Sequence, residues 1–122
     1  MNSRDRDLLE HIVLAAQRLN RIAGAGRDQF EASWVVRAAA ERQLEIIGEA
    51  AGKLSEEFAH QHPHLPLAKA RAMRNFIAHD YDDIDRDLVW EAVCASAPDL
   101  ARAVADLADD THQSRNRPGI EL

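Results

Sequence analysis

One cysteine, one tyrosine, four prolines and five glycines in 122 residues leave several protein classes without their raw material. Cys94 alone cannot close an intramolecular disulfide, so a disulfide-stapled scaffold is excluded and a reducing compartment is the simplest setting. Its neighbours Val93 and Ala95 predict a buried structural thiol in place of a nucleophile. No apolar run nears the roughly 20 residues that span a bilayer. Asn2, Arg4, Asp5 and Arg6 stand where a leader peptide would have its apolar core, so a cytoplasmic location without membrane contact is expected. Aromatic residues are only 5% of the chain and positive charge is in deficit, 15 Lys and Arg against 21 Asp and Glu. The net charge of −6 weakens non-specific contact with nucleic acid and fits a cationic partner surface equally well.

What the chain has in abundance is Ala, Leu, Arg and Glu, the residues of an all-α domain, in a length that suits one core. Leu8, Ile12, Ala15, Leu19 and Ile22 recur at helical spacing over residues 5–24, ended by Gly24 and Gly26. Asp28 is positioned to cap one long second helix running to about Lys53, with stripes Val36, Ala40, Leu44, Ile47, Ala51 and Val35, Ala39, Ile46, Ala50. Apolar residues on two sides predict a helix that is central or shared with a partner chain, and Gly48 permits close approach of a neighbour. Glu41, Glu45 and Glu49 form an acidic row that Arg37 and Arg42 offset. No histidine follows at di-iron spacing, so the row predicts a structural or solvated face, not metal ligands.

Ser55 opens a short helical turn, and His60, His62 and His64 then alternate around Pro63. Alternate histidines suit a transition metal, but two prolines hold this loop extended and no cysteine is near, so the expectation is a polar loop and no metal. Pro66 opens the next helix. From Ile84 to Leu107 one helical phase passes through Pro98, predicting a kink or two nearly coaxial helices, with Trp90 packed on the preceding helix. The expected architecture is a single-domain antiparallel bundle of four to five helices over residues 1–110, followed by a flexible tail over 111–122.

Chemistry concentrates in Ala70 to Tyr81, Ala-Arg-Ala-Met-Arg-Asn-Phe-Ile-Ala-His-Asp-Tyr. Arg74 is a permanent cation whose planar fork suits phosphate oxygens, and His79 can move a proton near neutral pH. Lys69, Arg71 and Arg74 make a local basic patch. At about 100° per residue Arg74 and Tyr81 lie roughly 20° apart, while His79 is about 140° from Arg74. One straight helix therefore cannot aim Arg74 and His79 at the same phosphate: the helix stops near His79, or a second copy completes the site. The aspartates Asp80, Asp82, Asp83 and Asp85 suit a loop and a new helix start.

Arg74, His79 and Tyr81 together resemble the R-x4-H-x-Y signature of HepT-like toxins, ribonucleases of the HEPN superfamily. Asn75 after the arginine, Ile47-Gly48-Glu49-Ala50 upstream, Pro63 to Pro66 before the motif, and Val89-Trp90 and Pro98-Asp99-Leu100 after it extend the likeness over about residues 5–110. Leu67 stands where a tryptophan and Ala72 where a glycine would be expected, both of them packing positions. The resemblance implies a homodimeric helical fold and cofactor-free cleavage of RNA by Arg74 and His79, supported by Asn75, Asp80 and Glu49. It also implies a nucleotidyltransferase antitoxin, MntA-like, that transfers AMP to Tyr81. A different class remains open on the residues alone: a non-catalytic helical module that binds a nucleotidyltransferase, with Arg74 paired to an acid such as Glu49 and His79 acting as a helix cap.

Overall fold

The computed structural model describes residues 1–75 and 85–115, with side chains as far as 107. The first helix, α1 (Ser3–Ala25), begins where Asn2 Oδ1 accepts a 2.7 Å hydrogen bond from the Asp5 amide, and it stops at Gly26, whose φ of 95° only glycine adopts readily. Its buried stripe is Leu8, Leu9, Ile12, Ala15, Ala16 and Leu19.

The long second helix expected to start at Asp28 is instead two helices, α2 (Arg27–Ala32) and α3 (Trp34–Lys53). Ser33 breaks them: it takes an extended conformation, and its hydroxyl caps α3 by accepting from the Val36 amide at 3.2 Å. Asp28 lies within the first turn of α2. Arg37 secures the corner by donating to the carbonyls of Phe30 (3.1 Å) and Glu31 (2.5 Å), which the end of α2 would otherwise leave without partners.

After α3 come α4 (Glu56–Gln61), α5 (Leu67–Ala72), α6 (Arg86–Glu91), a π-helical turn (Ala92–Ser96) and α7 (Ala97–Arg115). The described residues contain no strand, so the fold is all-α. Helices α1 and α3 run antiparallel: Arg18 reaches Gln43 at 3.4 Å, while Asp5 reaches Ser55 further along. Around them α2, α5 and the π turn pack on α3, and α7 packs on α1. Ile12, Leu19, Phe30, Leu44, Ile47, Phe58, Val93, Leu100 and Val104 fill the core, each burial worth about 1.5–3 kcal/mol.

The π turn is the physical answer to Pro98. Proline lacks the N–H that would bond the Cys94 carbonyl, and its ring crowds that carbonyl. Widening the preceding turn, so that the Ala97 amide reaches back to the Ala92 carbonyl, lets the helix pass the proline with Val89, Val93, Ala97, Leu100 and Val104 still buried. Cys94, expected in the core, is exposed: Val93 takes the inward position and the next residue faces out. Trp90 tilts against Phe30 of α2 with ring centroids 5.1 Å apart, and much of the motif stretch on which it is expected to pack lies outside the described residues. Helix α7 runs to Arg115, past the boundary expected at 110.

Candidate active site

Helix α5 is seated by apolar residues at positions 67, 70 and 73: Leu67, Ala70 and Met73 are buried, leaving Lys69, Arg71 and Arg74 exposed. Pro66 stands at the N-cap just before α5, its carbonyl accepting from the Ala70 amide at 3.0 Å. Two contacts pin the end of α5 to the last turns of α3. Arg71 Nε donates to the Ala51 carbonyl at 3.3 Å. Gly48 lies directly beneath Arg74: a Cβ at position 48 would stand 2.7 Å from Arg74 Cβ and 2.8 Å from its amide nitrogen. A hydrogen in place of a methyl group is what allows this approach.

Arg74 is exposed, and among the described residues it makes no hydrogen bond or ion pair. Glu49, one residue from Gly48, is half-buried and does not bond Arg74. The structural alternative of an Arg74–Glu49 pair is thus not realised. Of the other residues in the acidic row, Glu45 pairs with Arg42 at 2.7 Å. Burial pushes the Glu41 carboxyl above its ordinary range, against the opposing pull of Arg37 and Arg86. Asn75 is exposed beside Arg74, whereas His79, Asp80 and Tyr81 lie outside the described residues.

The chain re-enters at Asp85, which caps α6 by accepting from the amides of Asp87 (3.0 Å) and Leu88 (3.3 Å). Ion pairs then tie α6 to α2, Arg86 to Glu31 at 3.1 Å and Asp87 to Arg27, while Arg27 also pairs with Glu31 within α2. Arg74 and Asp85, which bracket the histidine and tyrosine in sequence, are therefore both attached to the frame.

In the histidine loop, His62 packs 4.6 Å from the Phe58 ring and 5.9 Å from His64. Burial, and then the adjoining His64, hold the His62 imidazole below its usual pKa. Among the described residues, no group of three or more His, Cys, Asp or Glu side chains is placed to hold a metal ion. No helix of the described chain is long and apolar enough to cross a membrane. Sequence reasoning did not find the buried Asp5, whose carboxylate accepts from the Ser55 amide (3.0 Å) and hydroxyl (2.7 Å). An aspartate among charged neighbours near a helix start carries no sign of a partner 50 residues away.

Fold and site define an all-helical domain with an exposed arginine that has no partner among the described residues and that precedes a histidine-bearing segment in sequence. The family described as "Ribonuclease HepT-like" matches residues 12–107, and the chain belongs to this ribonuclease family. A protein of Caldanaerobacter subterraneus named "Putative RNase" is 32% identical over 84% of this chain and 92% of its own length. A Methanocaldococcus jannaschii protein named "Gamma-glutamylcyclotransferase and putative RNase" is 30% identical over 73% of this chain, which spans only 40% of that protein. The "Probable ribonuclease HepT" of Thermococcus cleftensis is 36% identical over 48% of this chain and 54% of its own length. No solved structure matches.

Proposed function

We propose that this ribonuclease is a metal-independent endonuclease, the toxin of a two-gene system, in which Arg74 and His79 act on one scissile phosphate. The reaction follows from the two side chains. The 2'-hydroxyl neighbouring the phosphate gives its proton to a base and attacks phosphorus, forming the 2',3'-cyclic phosphate. The 5'-oxygen leaves and takes up a proton. His79 moves these protons, and Arg74 balances the charge that grows on the phosphate oxygens in between. RNA supplies its own nucleophile, so DNA is not a substrate. The observation that carries this reading is Arg74 itself, a guanidinium held on the surface by its backbone while no carboxylate among the described residues takes its charge.

Convergence of Arg74 and His79 across a two-fold axis makes the working unit a homodimer. Trp34, 72% exposed, and Val35 at the start of α3 support a partnered surface there. Glu49 follows Gly48, Asn75 follows Arg74 and Asp80 follows His79 in sequence; all three serve as supports. Neutralisation is by a nucleotidyltransferase antitoxin that places AMP on Tyr81, where the added phosphate would occupy Arg74 and the adenosine would block the groove. The test is cleavage of a mixed-sequence RNA by purified protein. Arg74→Ala and His79→Ala should keep their helical content and lose about 10²–10³-fold in rate, and full cutting by either variant refutes the assignment.

The net charge of −6 favours a second reading, a non-catalytic module that binds a nucleotidyltransferase through the same residues. It requires wild-type protein that leaves RNA intact at every concentration and does not slow growth when expressed alone.

A further inference from the structure

We propose that Gly48 is the positioning residue for Arg74: a bare backbone at this point of α3 sets where the guanidinium stands, and any side chain there impairs RNA cleavage. This rests on Arg74 acting at the phosphate. Two glycines on α3 differ in what surrounds them: Gly48 is buried and Gly52 is exposed. A Cβ on Gly52 would meet nothing within 4 Å, whereas a Cβ on Gly48 would meet the Cβ, the amide nitrogen and, at 3.2 Å, the Cα of Arg74. These are backbone and near-backbone atoms, which cannot rotate aside as the far end of a flexible side chain would. A methyl group at 48 therefore moves Arg74 as a whole.

The neighbouring contacts decide how it moves. Met73 is buried in the core and Arg71 is bonded to the Ala51 carbonyl, so the chain leading up to Arg74 is held next to the new methyl group and α5 cannot simply lift away. The strain is released at the residue with no partner of its own among the described residues, Arg74. The guanidinium is carried out of register with the phosphate while the core keeps its packing. A displacement of about 1 Å at a reacting group costs on the order of 10²-fold in rate.

Gly48→Ala, Gly52→Ala, Arg74→Ala and the Gly48→Ala/Arg74→Ala double variant are compared on a mixed-sequence RNA oligonucleotide, with thermal unfolding followed by circular dichroism. Gly52→Ala should cleave like wild type. Gly48→Ala should lose about 10²-fold in kcat with KM little changed. In the double variant the Gly48→Ala change should cost nothing beyond Arg74→Ala, because the group it displaces is gone. Additive losses would show that Gly48 acts elsewhere and would overturn the proposal, as would wild-type kcat in Gly48→Ala. If Gly48→Ala unfolds below the assay temperature, it is rebuilt on Gly52→Ala, whose added helix propensity offsets the loss. Unfolding in that background too would make the contact a global packing constraint and would also overturn the proposal. Absence of cleavage by wild type is a separate result: it removes the catalytic reading on which the inference stands.

Discussion

Asp5→Ala isolates a buried polar contact of the fold from its chemistry. The Asp5 side chain is buried to 3% residual exposure and joins the start of α1 to the start of α4. Its carboxylate accepts from the Ser55 amide and hydroxyl, and the same hydroxyl accepts from the Phe58 amide at 3.1 Å to cap α4. Hydrogen bonds to a charged group contribute about 1.5–3 kcal/mol each, and removing the acceptor also strands the donors. Ser55 is half-buried beside a shallow cleft lined by Asn2, Glu57 and Gln61, so water can replace part of what is lost. The expected net cost is about 2–4 kcal/mol, which for a domain of this length lowers the melting temperature by roughly 10–15 °C. Asp5→Asn should cost only about 1 kcal/mol, because its amide oxygen still accepts from Ser55 and its amide group can donate to the hydroxyl. Thermal unfolding by circular dichroism reads both variants. Below its melting point Asp5→Ala should still cleave RNA, since neither Asp5 nor Ser55 bonds α5. A melting temperature within 3 °C of wild type, at roughly the 1 kcal/mol level, would refute this account of the contact.

Stability should also depend on pH through His62. Its pKa is lowered in the fold, so the unfolded chain binds the proton more tightly, and the stability it contributes is complete above about pH 6.5 and is lost as pH falls through the lower folded value. The melting temperature measured from pH 8 to pH 5 should fall, and His62→Gln should remove part of that slope. Cys94 is exposed, yet partial desolvation of its thiol raises its pKa above 9.0, so it should react slowly with a thiol reagent at pH 7 and much faster above pH 9. Fast labelling at pH 7 would contradict this.

The helical class and most of the core were legible because they rest on local pattern. The stripe of α1, the Ala40, Leu44, Ile47, Ala51 stripe of α3 and the cap at Ser55 follow from spacing and residue chemistry over a few positions, whereas Val35 and Ala39 of the second expected stripe are exposed. The division at Ser33 was missed because the apolar stripes read for this helix begin only at Val35 and say nothing of the residues before Ser33, while the break depends on one hydroxyl bond and on Arg37 reaching back to α2. Cys94 was misplaced for a related reason. Apolar neighbours do not say which way a residue faces next to a proline-induced π turn. In the site, the small residue at 48 predicted a close neighbour, but only the structure identifies that neighbour as Arg74.

Attachment at both ends is what turns a local motif into a site, and the exit end can be tested separately from Gly48. Asp85 caps α6, and the pairs Arg27–Asp87 and Arg86–Glu31 fasten α6 to α2 through exposed side chains. Such pairs are screened by salt and add little stability singly, whereas loss of a helix cap costs about 1 kcal/mol. If the exit matters only for folding, Asp85→Ala should lower the melting temperature by a few degrees and leave kcat unchanged. If it also holds His79 against the phosphate, kcat should fall several-fold more than that destabilisation accounts for, and Asp85→Asn, which keeps the cap, should restore it. Raising the ionic strength should reproduce part of the kcat loss in wild type at constant RNA saturation, since it weakens the ion pairs without touching the cap. Catalysis indifferent to Asp85→Ala would leave the entrance at Gly48 and Arg74 as the only end that the chemistry requires to be fixed.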